Sequence, residues 1–85
     1  MTNKNKLMEY IMNSFIEKLA DAIEKEASEI QADHKFREFE EWDSLVVLSV
    51  IAMIKQNFGI TIPRKEFDTL LTVEELYKYI NSHSG

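Results

Sequence analysis

Glu41-Trp42-Asp43-Ser44-Leu45 stands where a polar, acidic loop stops and an apolar helix begins. Asp is a preferred helix N-cap residue, because its carboxylate accepts from first-turn N–H groups that have no partner within the helix. Ser44 then takes the first helical position, with its hydroxyl at the positive end of the helix. Free amides and the macrodipole both favour a phosphate there, so a serine in that place is suited to carry a phosphodiester. The plainer reading is that Asp43 only caps and Ser44 is a filler polar residue. A tripeptide matches by chance, so its surroundings must decide.

Downstream, the spacing predicts a helix from Ser44 to about Asn57. Val46, Val47, Val50, Ile51, Ile54 and Phe58 form a wide apolar face, with Met53 at its edge. Ser44, Ser49, Lys55 and Gln56 lie opposite, and Leu45, Leu48 and Ala52 sit among them on the side of Ser44. Valine-rich composition would allow a strand, but length and the 3.6-residue spacing favour a helix. Gly59 is expected to end it in the left-handed conformation.

Upstream, Ile11, Met12, Phe15, Ile16, Leu19, Ala22 and Ile23 share one face of an amphipathic helix. Glu26 and Glu29 would fall on that face if it continued, so the helix is expected to end near Lys25. Leu7 and Tyr10 fit the stripe poorly, and residues 1–8 are expected to be frayed or exposed. Residues 28–43 read as a long connection with Ile30, Phe36 and Phe39 as apolar pegs. So long a loop in a small domain is functional or pinned, and its task here is to deliver Asp43 and Ser44 to a fixed place.

Beyond Gly59, Ile60-Thr61-Ile62 reads as a short extended link. Pro63 suits the first position of a short helix reaching about Asp68, with Phe67 facing inward. Thr72-Val73-Glu74-Glu75 reads as a capping box, in which Thr72 caps and Glu75 reaches back. The last helix carries Val73, Leu76, Tyr77 and Ile80 on one face, and residues 82–85 are expected to be a tail.

The 85 residues suffice for one small domain, which would bury about 60–65% of its unfolded surface. Two glycines and one proline are few for an all-β chain with its many tight turns. Formal net charge is −5, which argues against nucleic acid, whose binding depends on Lys and Arg neutralising phosphates. Residues 1–43 hold 11 acids and 6 bases, and residues 44–85 hold 4 of each. Acidity therefore precedes Ser44. With no cysteine, any thiol the protein uses must be imported. No run is long and apolar enough to span a membrane, and Met1 to Lys6 lack the apolar core of a signal peptide. A cytoplasmic monomer without membrane insertion is expected.

Three longer helices, a short third one and a long first loop are the layout of the acyl carrier proteins, and the chain resembles that family at several separated points. Asp43-Ser44-Leu45 resembles its attachment motif. Phe58, Ile60, Ile62 and Pro63 resemble the apolar signature between its second and third helices. Thr72-Val73 and Tyr79-Ile80 match the two ends of its last helix, and Ile30 and Phe36 match its loop pegs. The resemblance covers about residues 11–81. It implies an all-α four-helix bundle, a single carrier domain over residues 1–85, and 4′-phosphopantetheine esterified to Ser44 by a separate phosphopantetheinyl transferase, with Asp43 and Leu45 beside it.

The arm would end in a thiol carrying an acyl or aminoacyl thioester, so the resemblance implies a mobile covalent substrate and no enzyme. Expected partners are acyl- or aminoacyl-loading and processing enzymes of fatty acid, polyketide or other lipid biosynthesis. The expected partner surface is Leu45, Leu48, Ser49 and Ala52. The chain departs from the family in two places. Fatty-acid carriers have an acidic second helix, and here the positions after Leu45 hold no acid. Trp42 replaces a small residue before the aspartate. Both favour a specialised pathway, and the acid-free helix favours docking by apolar contact that salt barely weakens. A peptidyl carrier of a peptide synthetase-like system is an alternative, against which Asp43 leans. An unmodified helical interaction module is the other. A hydrolase or transferase lacks a base near Ser44 in the sequence.

Trp42 has two readings, contact with the arm or a partner, and packing of the loop against the second and third helices; burial favours the second. His34 and His83 are expected to be solvated, with no metal site. Met12 and Met53 are expected to fill core gaps, rather than build a binding surface with Met1 and Met8. Glu38, Glu40 and Glu41 are a solvated loop face or a guide for a basic partner.

Overall fold

A computed structural model of the chain describes the backbone of residues 4–83 and the side chains of residues 11–83. It contains α1 (Lys4–Ile23), α2 (Ser44–Phe58), α3 (Arg64–Phe67) and α4 (Val73–His83). The all-α architecture agrees with the sequence, and the described residues hold only an isolated antiparallel bridge between Lys35 and Thr72. None of these helices is long and apolar enough to cross a membrane.

α1 is longer than its apolar stripe predicts. It begins at Lys4, so residues 4–8 are helical rather than frayed; residues 1–3 and 84–85 and the side chains of Leu7, Met8 and Tyr10, and with them the expected exposure of residues 1–8, lie outside the described residues. Ile11 is 37% exposed, whereas Phe15, Leu19, Ala20 and Ile23 are buried. α1 also stops two residues before the expected Lys25. Glu24 adopts a left-handed φ of 65°, its N–H donates to Asp21 O at 3.2 Å, and Lys25 N–H donates to Ala20 O at 2.9 Å. This pair of bonds is a Schellman stop, where glycine is the usual occupant. A side chain there costs roughly 1–2 kcal/mol, partly offset by the greater freedom an unfolded glycine has to lose. Glu24→Gly should therefore stabilise the protein by about 0.5–1 kcal/mol. Urea unfolding would show a higher midpoint at unchanged slope; a lower midpoint would mean that the Glu24 side chain makes up for its strain.

α1 packs mainly on α2 and also touches α4. Val47, Val50, Met53 and Ile54 of α2 are buried, and the ring of Phe15 lies 6.0 Å from those of both Phe58 and Tyr77. Val46, Ile51 and Phe58 are only half-buried and Met53 is inside rather than at the edge. The covered stripe on α2 is thus narrower than predicted and turned towards Met53, because α1 covers one side of it. Met12 is half-buried against the core.

The long connection is pinned as its pegs predict, with Ile30 and Phe36 buried and Phe39 half-buried. Two single 3-10 turns, Ala27–Glu29 and Phe36–Glu38, break its length. It is stitched to α4, whose first N–H groups lack acceptors of their own: Val73 N–H donates to His34 O (3.0 Å) and Glu74 N–H to Ala32 O (2.8 Å). Thr72 caps α4 as expected, accepting from Glu75 N–H at 3.2 Å. Glu75 reaches back one residue further than predicted, to Leu71 N–H at 3.0 Å, while Thr72 pairs with Lys35 in the bridge. α4 continues through Ser82 and His83, so the expected tail is helical there.

Gly59 ends α2 at φ 70°, as expected. Ile60 and Ile62 point inward on either side of exposed Thr61. Pro63 is the residue before α3 rather than its first. With four residues α3 is too short to hold its shape alone, and its ties come from the loop. Arg37 donates to Phe67 O at 2.7 Å and to Leu70 O. Its guanidinium carbon lies 4.8 Å from the Phe36 ring and 5.3 Å from that of Phe67. On the other side Tyr79 of α4 donates its hydroxyl to Glu66 at 3.1 Å; burial first, then the Glu66 carboxylate, pushes its phenol pKa upward.

Candidate functional site

Asp43 is extended (φ −153°, ψ −176°), and its carboxylate accepts from Val46 N–H at 2.8 Å. Its carbonyl accepts from Val47 N–H at 3.1 Å. This is the N-cap the sequence predicts, and it puts Ser44 at the first position of α2. The Ser44 side chain is exposed. The amides around it belong to the first turn, which has donors to spare, so the position favours an anionic oxygen group on the serine.

The residues before Ser44 are held from two sides. Lys25 at the end of α1 pairs with Glu41 at 3.2 Å and lies 5.2 Å over the Phe39 ring. The backbone N–H of Glu41 and the Lys25 ammonium together hold the Glu41 carboxyl below its usual pKa. A lowered carboxyl adds stability above its unfolded pKa and loses it as the pH falls through the folded one. Glu38 and Glu40 are exposed, and of the acidic run only Glu41 has a side-chain partner among the described residues. On the other side Trp42 stacks on Phe67 of α3, with centroids 6.3 Å apart and planes 11° from parallel, and lies 5.1 Å from the Phe36 ring. Packing of the loop against α3 is therefore the reading of Trp42 that the geometry supports.

Leu45, Leu48, Ser49 and Ala52 all lie exposed on α2. Leu45 and Leu48 are 73% and 60% exposed, the most open of the large hydrophobic side chains described. α2 has no acid and Lys55 as its one charge. Nevertheless carboxylates reach this surface from elsewhere. Asp21 and Ala22 of α1 and Glu24 just past its end face Leu45, Val46 and Ser49 of α2 across a shallow groove that starts at Asp43 and continues past Ala52 to Gln56. Neither Asp21 nor Glu24 is in an ion pair among the described residues. The expectation of a surface free of carboxylates holds for α2 alone and fails for the surface as assembled. In the sequence Asp21 and Glu24 are two polar-face residues of α1, and nothing local says which helix that face borders.

His34 is not simply solvated: its Nδ1 accepts from Gln31 N–H at 3.1 Å and its ring meets the edge of Phe39. His83 is exposed and stacks on Tyr79. The described residues contain no group of three or more metal-ligating side chains.

A family model described as a phosphopantetheine attachment site matches residues 13–80. The chain belongs to the phosphopantetheine-attachment family of carrier proteins. It is 35% identical over 75 residues to an acyl carrier protein of Rubrobacter xylanophilus, covering 88% of this chain and 93% of that one. It is 34% identical over 75 residues to an acyl carrier protein of Rickettsia massiliae, covering 88% and 87%. To an acyl carrier protein of Lactobacillus acidophilus it is 30% identical over 77 residues, covering 91% and 96%. The group that members of this family carry is phosphopantetheine, a phosphate monoester that becomes a phosphodiester on attachment to a hydroxyl, and the start of a helix suits such an anion.

Proposed function

We propose that Ser44 carries the 4′-phosphopantetheine arm and that the protein is a carrier, not a catalyst. It would hold acyl or aminoacyl intermediates as thioesters and present them to partner enzymes. The exposed hydroxyl at the Asp43-capped start of α2 is the observation that supports this most strongly. The Ser44 hydroxyl has no hydrogen-bond partner among the described residues, and a serine needs an activating base to react. A phosphopantetheinyl transferase would supply that base and bring coenzyme A. The whole chain serves as one carrier domain, with its core over residues 11–81. Asp43 before the serine favours acyl over peptidyl cargo, and the acid-free α2 together with Trp42 favours a specialised pathway over general fatty acid synthesis.

The absence of cysteine gives a direct test. A thiol reagent should read nothing on unmodified protein. After incubation with coenzyme A and a broad-specificity transferase, followed by desalting, it should read one thiol per chain. No gain of thiol would leave the unmodified interaction module as the better reading.

Partner enzymes reaching the arm would meet Leu45, Leu48, Ser49 and Ala52. Apolar burial at about 25 cal/mol per Å² supplies most of that contact. Asp21 and Glu24 add a smaller share that salt weakens, because the screening length falls from about 10 Å at 0.1 M to about 3 Å at 1 M. With a loading enzyme, Leu48→Glu should raise the dissociation constant at every salt concentration and more than Lys55→Ala. Asp21→Asn with Glu24→Gln should raise it only at low salt. Leu48→Glu without effect, alongside a steep salt response, would move docking to Glu38 and Glu40 of the loop.

A further inference from the structure

We propose that Trp42 is a positioning residue for the modification of Ser44, fixing where the first turn of α2 presents the serine. The inference rests on Ser44 being the attachment residue. Within that turn Ser44 and its neighbour Leu45 have no hold on the core, and only Val46 and Val47 beyond them do. Ser44 and Leu45 are exposed, Val46 is half-buried, and Val47 is the first buried residue of α2. The Asp43 cap closes the turn on Val46 but ties it to nothing outside α2. On the N-terminal side of the serine, attachment to the remainder of the molecule must come from the chain before Asp43.

Two side chains there make such a tie. The Lys25–Glu41 pair is partly exposed, and exposed pairs contribute little and are screened by salt. Trp42 is different. It stacks on Phe67 and tilts against Phe36, both of which are fully buried. Arg37 holds Phe67 in turn through its carbonyl and its ring. Trp42 is therefore the last side chain before Ser44 to rest on the core, and half-buried Val46 is the next one after it. Without the indole, the span between core anchors widens from Trp42–Val46 to Phe39–Val46 and the serine can wander. Displacing a reacting group by about 1 Å can cost about a hundredfold in rate.

The experiment is steady-state transfer from coenzyme A to the full unmodified chain by a broad-specificity transferase. It compares wild type, Trp42→Ala, Trp42→Phe and Ile80→Ala, the last a core truncation in α4 away from the site. All are assayed where circular dichroism shows them folded. Trp42→Ala should lower kcat about tenfold to a hundredfold, with the KM for the carrier little changed because Leu45 and Leu48 are intact. Trp42→Phe should recover most of the loss, and Ile80→Ala should keep the wild-type kcat. If Trp42→Ala melts below the assay temperature, Trp42→Leu takes its place with the same readouts. A residue that only supports folding would lower the competent fraction, raising apparent KM at constant kcat. That pattern, or an equal fall in kcat for Ile80→Ala, overturns the proposal. Wild type remaining unmodified would instead overturn the assignment of Ser44.

Discussion

Phe15→Ala is expected to unfold the protein or to lower its melting temperature by more than about 12 °C. Phe15 is 1% exposed and is where α1 meets both Phe58 of α2 and Tyr77 of α4. Truncating a buried phenylalanine costs about 3–5 kcal/mol, against a total of roughly 5–15 kcal/mol for a domain. In a domain of this size each kcal/mol shifts the midpoint by about 4–8 °C. Phe58→Ala is the contrasting case. The helical wheel puts Phe58 in the core, but it is half-buried, so its truncation should cost only about 1–2 kcal/mol. Thermal melts of the two variants followed by circular dichroism check this. Equal losses would mean that the open side of Phe58 is covered in solution.

Ser44→Ala should abolish modification altogether while leaving the fold intact. The side chain is exposed, and α2 keeps its cap, because the bond to Val46 N–H belongs to Asp43. The variant should therefore melt within about 0.5 kcal/mol of wild type, the usual range for a surface substitution. It should accept no arm from coenzyme A. Ser49→Ala, on the same exposed side of α2, should be loaded like wild type. Loading that survives in Ser44→Ala but not in Ser49→Ala would transfer the attachment role one turn along the helix.

Asp43, Ser44, Gly59 and Thr72 were legible in the sequence for a local reason. Caps and left-handed stops are decided within a few residues, so a short window contains their physics. The stop of α1 escaped the same logic because Glu24 occupies a site where glycine is the usual signal. The buried face of α4 was legible from its stripe; on α1 the stripe gave Phe15, Leu19 and Ile23 but also the exposed Ile11, and it left out the buried Ala20. The covered width of α2 was not legible, since which residues are buried depends on where α1 lies across it.

Contacts between elements distant in sequence were the least legible. Arg37 reads as one base in an acidic loop, yet it closes the end of α3 through bonds to residues about thirty positions away. Lys25 and Glu41 look like surface charges until the loop brings them to 3.2 Å. Around Ser44 the sequence puts the serine first in α2 and Leu45, Leu48 and Ala52 on its exposed side, as the structure has them. It misses Asp21 and Glu24, whose position beside Leu45 is a property of the α1–α2 pairing and of neither helix alone. The two readings of Trp42 could be told apart only once Phe36 and Phe67 were seen to meet beneath it.

The most direct test of the account is to map the modified residue. The protein is loaded from coenzyme A by a transferase, digested, and its peptides are sequenced by tandem mass spectrometry. One phosphopantetheinyl group per chain, on the peptide containing Trp42-Asp43-Ser44 and eliminated from it as phosphopantetheine with dehydroalanine left at position 44, is the predicted result. The same group on any other residue, or a chain that stays unmodified beside a loaded control carrier, would contradict the account.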